Sequence, residues 1–401
     1  MKRNRRISAV AVLALAALVT GTGAGFAATT TPSATPVATH AFDTAPATAT
    51  VSTRSFHGTL PAPTGPYAAG EDIIHLTDAS RPDPWVPSSG PRRLTVTMVY
   101  PAVPGTGTPA PYMTLAEAAG AIQHRKVPAS SGVTPQNLSS VTTHAFDGAR
   151  PQNGKHPLVI LSPGFEDPRM TLTSLATDLA SHGYVVALVG HTYEDSGETL
   201  ANGQTPPCAI CDDPALDFDS VAAGRALDVS FVIDQLTHGN TAWPLAHLID
   251  KHEIGMAGHS IGGAAAAASM IADPRVLAGV NMDGAFHPAP MPGQINRPFL
   301  MLGAAANHPV GGDDTTWGQT WAALGGYKKW LTVAGADHTS FTDLDLLLEE
   351  AGFPAPPLSP ARGVVITREY VTAFFDQTLK GIHSPLLDGP SPSNPEVLFQ
   401  N

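Results

Sequence analysis

From residue 158 to residue 379, short apolar runs alternate with stretches of helical periodicity, and few folds accommodate that rhythm. Residues 158–161, 185–189, 254–257, 276–282, 299–302 and 329–333 read as strands, each a brief apolar run bounded by turn residues. Helical spacing occupies 172–182, 221–236, 264–271, 316–324 and 364–379. Strands that take turns with helices pair mainly in parallel, because each helix returns the chain to the same end of the sheet. The predicted fold class is α/β, a mainly parallel central sheet with helices on both faces. Upstream, 94–100 alternates as a strand should, whereas 101–150 reads as loop with one short helix at 114–123. Functional groups in such sheets gather at the carboxyl ends of the strands.

One of those ends carries Gly258-His259-Ser260-Ile261-Gly262, a G-x-S-x-G string between an apolar strand and an alanine-rich helix. That context is what a nucleophile elbow needs. Gly258 and Gly262 let the chain turn sharply, and Ser260 is held at a helix N-terminus that favours developing negative charge. His259 packs beside the serine. A serine hydroxyl needs a base. Among 16 histidines, His338 lies just after the last predicted strand, where the base of such a site belongs. His287, before the last two strands, is its rival.

The acid is less obvious. The usual place follows the penultimate strand, but there the chain reads Gly303-Ala304-Ala305-Ala306-Asn307, without a carboxylate. One strand earlier, Met282-Asp283-Gly284 offers Asp283, expected to fix the tautomer of His338. Asp313 and Asp314 remain on the longer loop as alternatives, and Asp337 adjoins the histidine with its side chain directed elsewhere. Two backbone N–H donors are expected to hold the oxyanion, from Ile261 and from Phe165 after Pro163-Gly164. Trp317, Trp321, Met291 and Phe165 are candidates to line the pocket, with core packing the preferred role for the first three. No cluster with metal-ligand spacing appears, and the chemistry requires neither metal nor cofactor. Activity is expected to fall below about pH 6, as the base takes up a proton.

The N-terminus reads as a secretory signal over residues 1–27. Lys2, Arg3, Arg5 and Arg6 precede an apolar stretch and a small-residue cleavage site at Gly25-Phe26-Ala27. Residues 28–55, rich in Ala, Thr and Pro, read as a flexible leader, and 56–401 as the catalytic domain. The expected product is secreted, with no stable membrane insertion, because the apolar run is too short to span a bilayer. The formal charge of −12 disfavours nucleic acid and other polyanions. Cys208 and Cys211 are the only cysteines, and in an exported chain a short-loop disulfide is the leading reading.

Several of these stretches together resemble one family. Leu60-Pro61-Ala62-Pro63-Thr64-Gly65, Ser80-Arg81-Pro82-Asp83-Pro84-Trp85, the elbow, Met282-Asp283-Gly284 and the His338 loop are similar to the platelet-activating factor acetylhydrolase isoform II family of α/β-hydrolases, particularly its exported bacterial relatives. The similarity runs over roughly residues 58–385. An aspartate after the earlier strand is its most specific mark. Carried over, the family's triad falls on Ser260, Asp283 and His338, and its oxyanion donors on Phe165 and Ile261. The chain departs at Pro163-Gly164, where the family often has His-Gly, a feature shared with bacterial triacylglycerol lipases and cutinases. The resemblance implies a serine carboxylic-ester hydrolase acting through an acyl-enzyme on a small-molecule or lipid ester. Short-acyl substrates such as acetyl esters of phospholipids are expected. A triacylglycerol lipase or cutinase-like polyester hydrolase, and an inactive hydrolase-fold binding protein, are the alternatives.

Overall fold

The computed structural model describes residues 56–289, 291 and 293–400; the expected signal peptide and leader lie outside them. The first half of the sheet is β1 (Ala68–Pro82), β2 (Pro91–Ala102), β3 (Thr108–Pro109), β4 (Ala145–Asp147), β5 (His156–Ser162) and β6 (Val185–His191). The second half is β7 (Ile249–His259), β8 (Val276–Met282), β9 (Phe299–Ala304), β10 (Lys328–Val333) and β11 (Val397–Gln400). These lie in the order β11-β10-β9-β8-β7-β5-β6-β2-β1-β4-β3. From β10 to β6 every pairing is parallel. The antiparallel pairings are β11 with β10 at one edge and, on the other side, β6 with β2, β2 with β1 and β4 with β3, while β1 and β4 pair in parallel.

The helices are α1 (Leu115–His124), α2 (Pro135–Ser139), α3 (Thr173–Ser181), α4 (Phe218–Thr237), α5 (Ile261–Ala272), α6 (Thr315–Ala323), α7 (Leu344–Glu350) and α8 (Pro360–Leu379). Alternate strand residues face opposite sides. Leu158 and Ile160 pack with Val229, Ile233, Ala266 and Met270 of α4 and α5, while Val159 and Leu161 join Leu175, Leu179, Ile366 and Phe374 of α3 and α8. The sheet is thus covered on both faces, as the strand–helix rhythm predicts.

Two regions differ from the sequence reading. β1 does alternate, with Ile74 and Leu76 facing in and His75 and Thr77 facing out, but the run is short and polar Glu71 and Asp78 also face in, so the apolar pattern marks little of its length. Its register comes from a long antiparallel ladder with β2. Residues 101–150, read as mostly loop, form β3, α1, α2 and β4. The helix expected at 114–123 is there, begun by a capping box in which Glu117 N–H donates to Thr114 Oγ1 at 3.2 Å and Thr114 N–H to Glu117 at 2.9 Å. Tyr112, Met113, Ala118 and Val141 of this region bury against Phe56, Leu60 and Leu347 in a third apolar cluster.

A buried charge network ties β2, β6 and α4 together. Asp228 of α4 accepts from Arg92 Nη2 at 2.7 Å and from His191 Nδ1 at 2.8 Å, and pairs with Arg81. Burial opposes its charge, yet Arg92 and His191 hold its carboxyl far below the usual carboxylate range. Removing one member leaves the others buried and uncompensated, which typically costs about 3–5 kcal/mol. Asp228→Ala is therefore expected to lower thermal stability by several kcal/mol in calorimetry, whereas removal of the exposed Asp212 carboxylate is expected to change little.

Candidate active site

The site begins with a backbone that most residues avoid. Ser260 stands between β7 and α5 at φ 54° and ψ −125°, a strained conformation for a residue with a side chain. Neighbouring glycines make room for it. A Cβ on Gly258 would run into the carbonyl of Gly262, and one on Gly262 into the carbonyl of Ser162. Ser260 N–H donates to Met282 O at 2.9 Å, and its carbonyl accepts from Gly263 N–H at 2.8 Å, so the turn is held from both sides.

Around this elbow the structure brings Ser260, His338 and Asp283 together. His338 Nε2 lies 3.0 Å from Ser260 Oγ, and His338 Nδ1 lies 2.7 Å from Asp283 Oδ2. Asp283 also sits at positive φ, 57°, and is almost fully buried. It takes Ala304 N–H on Oδ1 at 2.6 Å and Asn307 Nδ2 on Oδ2 at 3.0 Å. The segment after β9, which has no carboxylate of its own, donates to the carboxylate at the end of the strand before. His308 Nε2 also approaches Oδ1, at 3.5 Å, while its Nδ1 faces Asp314.

The rivals are engaged elsewhere. Asp314 caps α6 by accepting Thr316 N–H at 2.8 Å, and Asp337 accepts from Thr339 N–H and Ser340 Oγ. His287 pairs with Asp219 at 3.0 Å. His338 is bonded to neither Asp313 nor Asp314.

Burial alone makes protonation of His338 harder, but the hydrogen bond and charge of Asp283 outweigh it and raise its pKa above the ordinary histidine value. The side chain is half exposed, open to a substrate from solvent. His259 is buried beneath it. Its Nε2–H donates to His338 O at 2.7 Å and its ring lies 4.6 Å from that of His338. Burial and the neighbouring His338 push its pKa well down, so it stays neutral. Its bond holds the main chain of His338.

Neither Phe165 N–H nor Ile261 N–H donates to another group among the described residues. Both flank the serine, one after β5 and one at the start of α5. The Phe165 ring packs edge-on against Phe218, whose ring meets His287 after β8. This aromatic row reaches from the β5 side of the elbow to the β8 side. Trp317 and Met291 belong to the core, with Trp321 packed against it; Trp317 Nε1 donates to Gly284 O at 2.8 Å.

Sequence reasoning missed the layer beneath the Phe165 loop. Arg225 of α4 donates to the carbonyls of Pro163 and Gly164 and, through Nε, to Glu194 at 2.7 Å. An arginine in a helix of ordinary amphipathic pattern gives no sign that it faces inward. From the other side, Arg125 at the end of α1 pairs with Asp167. Cys208 and Cys211 form the expected disulfide, in the loop between β6 and α4. Two groups have metal-ligand spacing among the described residues. In one, His191, Glu194 and Asp228 already surround Arg92 and Arg225; in the other, beside His124 and Glu166, Cys211 is consumed by its disulfide.

The model of the family described as platelet-activating factor acetylhydrolase, isoform II, matches residues 116–206 and 229–351, more than half of the chain. A protein of Arthroderma benhamiae named as a probable 1-alkyl-2-acetylglycerophosphocholine esterase is 28% identical over 382 residues, covering 85% of this chain and 93% of its own. A platelet-activating factor acetylhydrolase of Bos taurus is 27% identical over a shorter stretch, 38% of this chain and 40% of its own. Among solved structures, a ferulic acid esterase from Streptomyces cinnamoneus superposes with a TM-score of 0.77 at 39% identity, covering 86% of this chain and all of its own. The chain belongs to the platelet-activating factor acetylhydrolase isoform II family, and it is a carboxylic ester hydrolase of the α/β-hydrolase fold.

Proposed function

We propose that the chain is a secreted serine esterase that cleaves short-acyl esters through an acyl-enzyme on Ser260. The observation carrying this reading is the hydroxyl–imidazole–carboxylate array, 3.0 Å and 2.7 Å between its members. His338 Nε2 takes the proton of Ser260 Oγ as the oxygen attacks the ester carbonyl. Asp283 remains ionised and stabilises the imidazolium. The oxyanion receives Phe165 N–H and Ile261 N–H, the second at the positive end of α5. His338 then gives its proton to the departing alkoxide, and later activates the water that releases the acid.

Export is supported by the N-terminal charge-and-apolar pattern and by the Cys208–Cys211 disulfide, a bond that persists in oxidising compartments. Acetyl esters of phospholipids are the preferred substrates, on the strength of the relatives named as acetyl esterases. A second reading, esters of ferulic acid, is favoured by the Streptomyces cinnamoneus relative and by the Phe165–Phe218–His287 row beside the elbow.

Ser260→Ala should lower kcat by about 10⁶-fold without loss of thermal stability, in line with serine-hydrolase precedents; retained turnover would refute the nucleophile. Asp283→Asn should cost about 10⁴-fold, as the same exchange does in a serine-protease triad, with Asp313→Asn close to wild type. The base must be neutral to work, so kcat/KM should fall as pH drops through the pKa of His338. Because Asp283 raises that pKa, the midpoint should lie above that of free histidine, higher than the sequence alone suggests. Rates on p-nitrophenyl esters from acetate to palmitate, run beside an acetyl phospholipid, methyl ferulate and a polyester, test the substrate. A sharp decline beyond butyrate is expected, whereas a maximum on long chains would make it a lipase.

A further inference from the structure

Arg225 is buried and far from Ser260 in sequence, yet it touches the backbone that carries the oxyanion donor. Its Nη1 donates to Pro163 O and, at 3.1 Å, to Ser162 Oγ; its Nη2 reaches Gly164 O at 3.4 Å. The Gly164–Phe165 peptide is trans, since the only cis bond among the described residues is His287–Pro288. In a planar trans peptide the C=O and N–H point in opposite directions. The guanidinium on the Gly164 carbonyl, which also accepts from Asp167 N–H at 3.4 Å, therefore favours Phe165 N–H pointing the other way, and that N–H finds no acceptor among the described residues.

The next peptide is gripped by the same pair. Glu166 N–H donates to Glu194 O at 3.0 Å, and the Glu194 carboxylate holds Arg225 Nε at 2.7 Å. Glu166 itself sits at φ 68°, a conformation that needs such support. Behind Arg225, a directed chain completes the clamp. Ser162 Oγ lies 3.0 Å from His191 Nε2, and His191 Nδ1 lies 2.8 Å from Asp228. Burial, then the nearby Arg225, lowers the pKa of His191, so it is neutral and donates through Nδ1–H. Ser162, His191 and Asp228 copy the spacing of a catalytic triad, but all three are buried and the hydroxyl accepts from Arg225. They brace the loop and cannot meet an ester.

We propose that Arg225 is a positioning residue for ester cleavage, aiming Phe165 N–H at the developing oxyanion through its bonds to the Pro163 and Gly164 carbonyls. A cation on the carbonyl also polarises the amide and strengthens its N–H as a donor. The proposal rests on Phe165 being an oxyanion donor. It requires transition-state stabilisation to weaken while ground-state binding does not.

Arg225→Lys keeps the charge and loses the fork; Arg225→Met loses both. With p-nitrophenyl acetate, kcat is expected to fall about 10-fold in the first and about 100-fold in the second, with KM changed by less than about threefold. The inhibition constant of a trifluoromethyl ketone, which adds the serine oxygen to give a tetrahedral oxyanion, is expected to rise in proportion to the loss in kcat/KM. A folded Arg225→Lys with unchanged kcat, a loss seen only in KM, or a lowered kcat with an unchanged inhibition constant would each overturn the proposal. So would loss of folding in both variants, because Arg225 would then serve the core alone. Failure of the triad reading would show separately, as turnover retained by Ser260→Ala.

Discussion

Ser260 bears a side chain at a positive φ, and the site exists only while surrounding packing sustains that turn. A strained conformation of this kind costs on the order of 1–3 kcal/mol and persists when its surroundings over-determine it. Here β7 delivers the residue, α5 removes the chain at once, and Gly258 and Gly262 let backbones approach where a Cβ would collide. The consequence is geometric. The hydroxyl stands clear of the sheet, the Ile261 N–H at a helix start has no acceptor among the described residues, and the His338 imidazole on a neighbouring loop reaches the oxygen.

The carboxylate follows the same logic from another strand. Asp283 at the end of β8 occupies ground beside β9, where Ala304 N–H and Asn307 complete its acceptor sites. A residue so buried and so fully bonded has little freedom to rotate away from His338. His259 adds a hold on the backbone of His338, since its Nε2–H bonds the His338 carbonyl. The imidazole is thus oriented from its ring by Asp283 and from its main chain by His259, the residue preceding Ser260.

Beneath the other flank of the elbow, charges do what apolar packing does elsewhere. Arg92, Arg225, Asp228 and Glu194 are buried together and neutralise one another across β2, β6 and α4. Such a network gives little net stability over a well-packed apolar core, yet it is directional where apolar contacts are not. It terminates on the carbonyls of Pro163 and Gly164, so its directionality is passed to the loop between β5 and α3. Arg125 and Asp167 close that loop from the α1 side.

Much of this was legible in the sequence. The alternation of apolar runs and helical spacing determined a parallel sheet covered on both faces. Gly258 to Gly262 between a strand and an alanine-rich helix determined the elbow, because only glycine tolerates those approaches. His338 and Asp283 followed from position, each at the carboxyl end of a strand, and Cys208 with Cys211 from spacing. Tertiary structure alone decided the full length of β1, whose buried Glu71 and Asp78 interrupt a short apolar alternation, and the burial of Arg92 and Arg225 among carboxylates from distant segments. It also decided which nitrogen meets which oxygen, and the raised pKa of His338. Local sequence encodes backbone preference and which face of an element is apolar. Pairing between buried charges, and the direction of one peptide N–H, depend on distances between elements that no local pattern records.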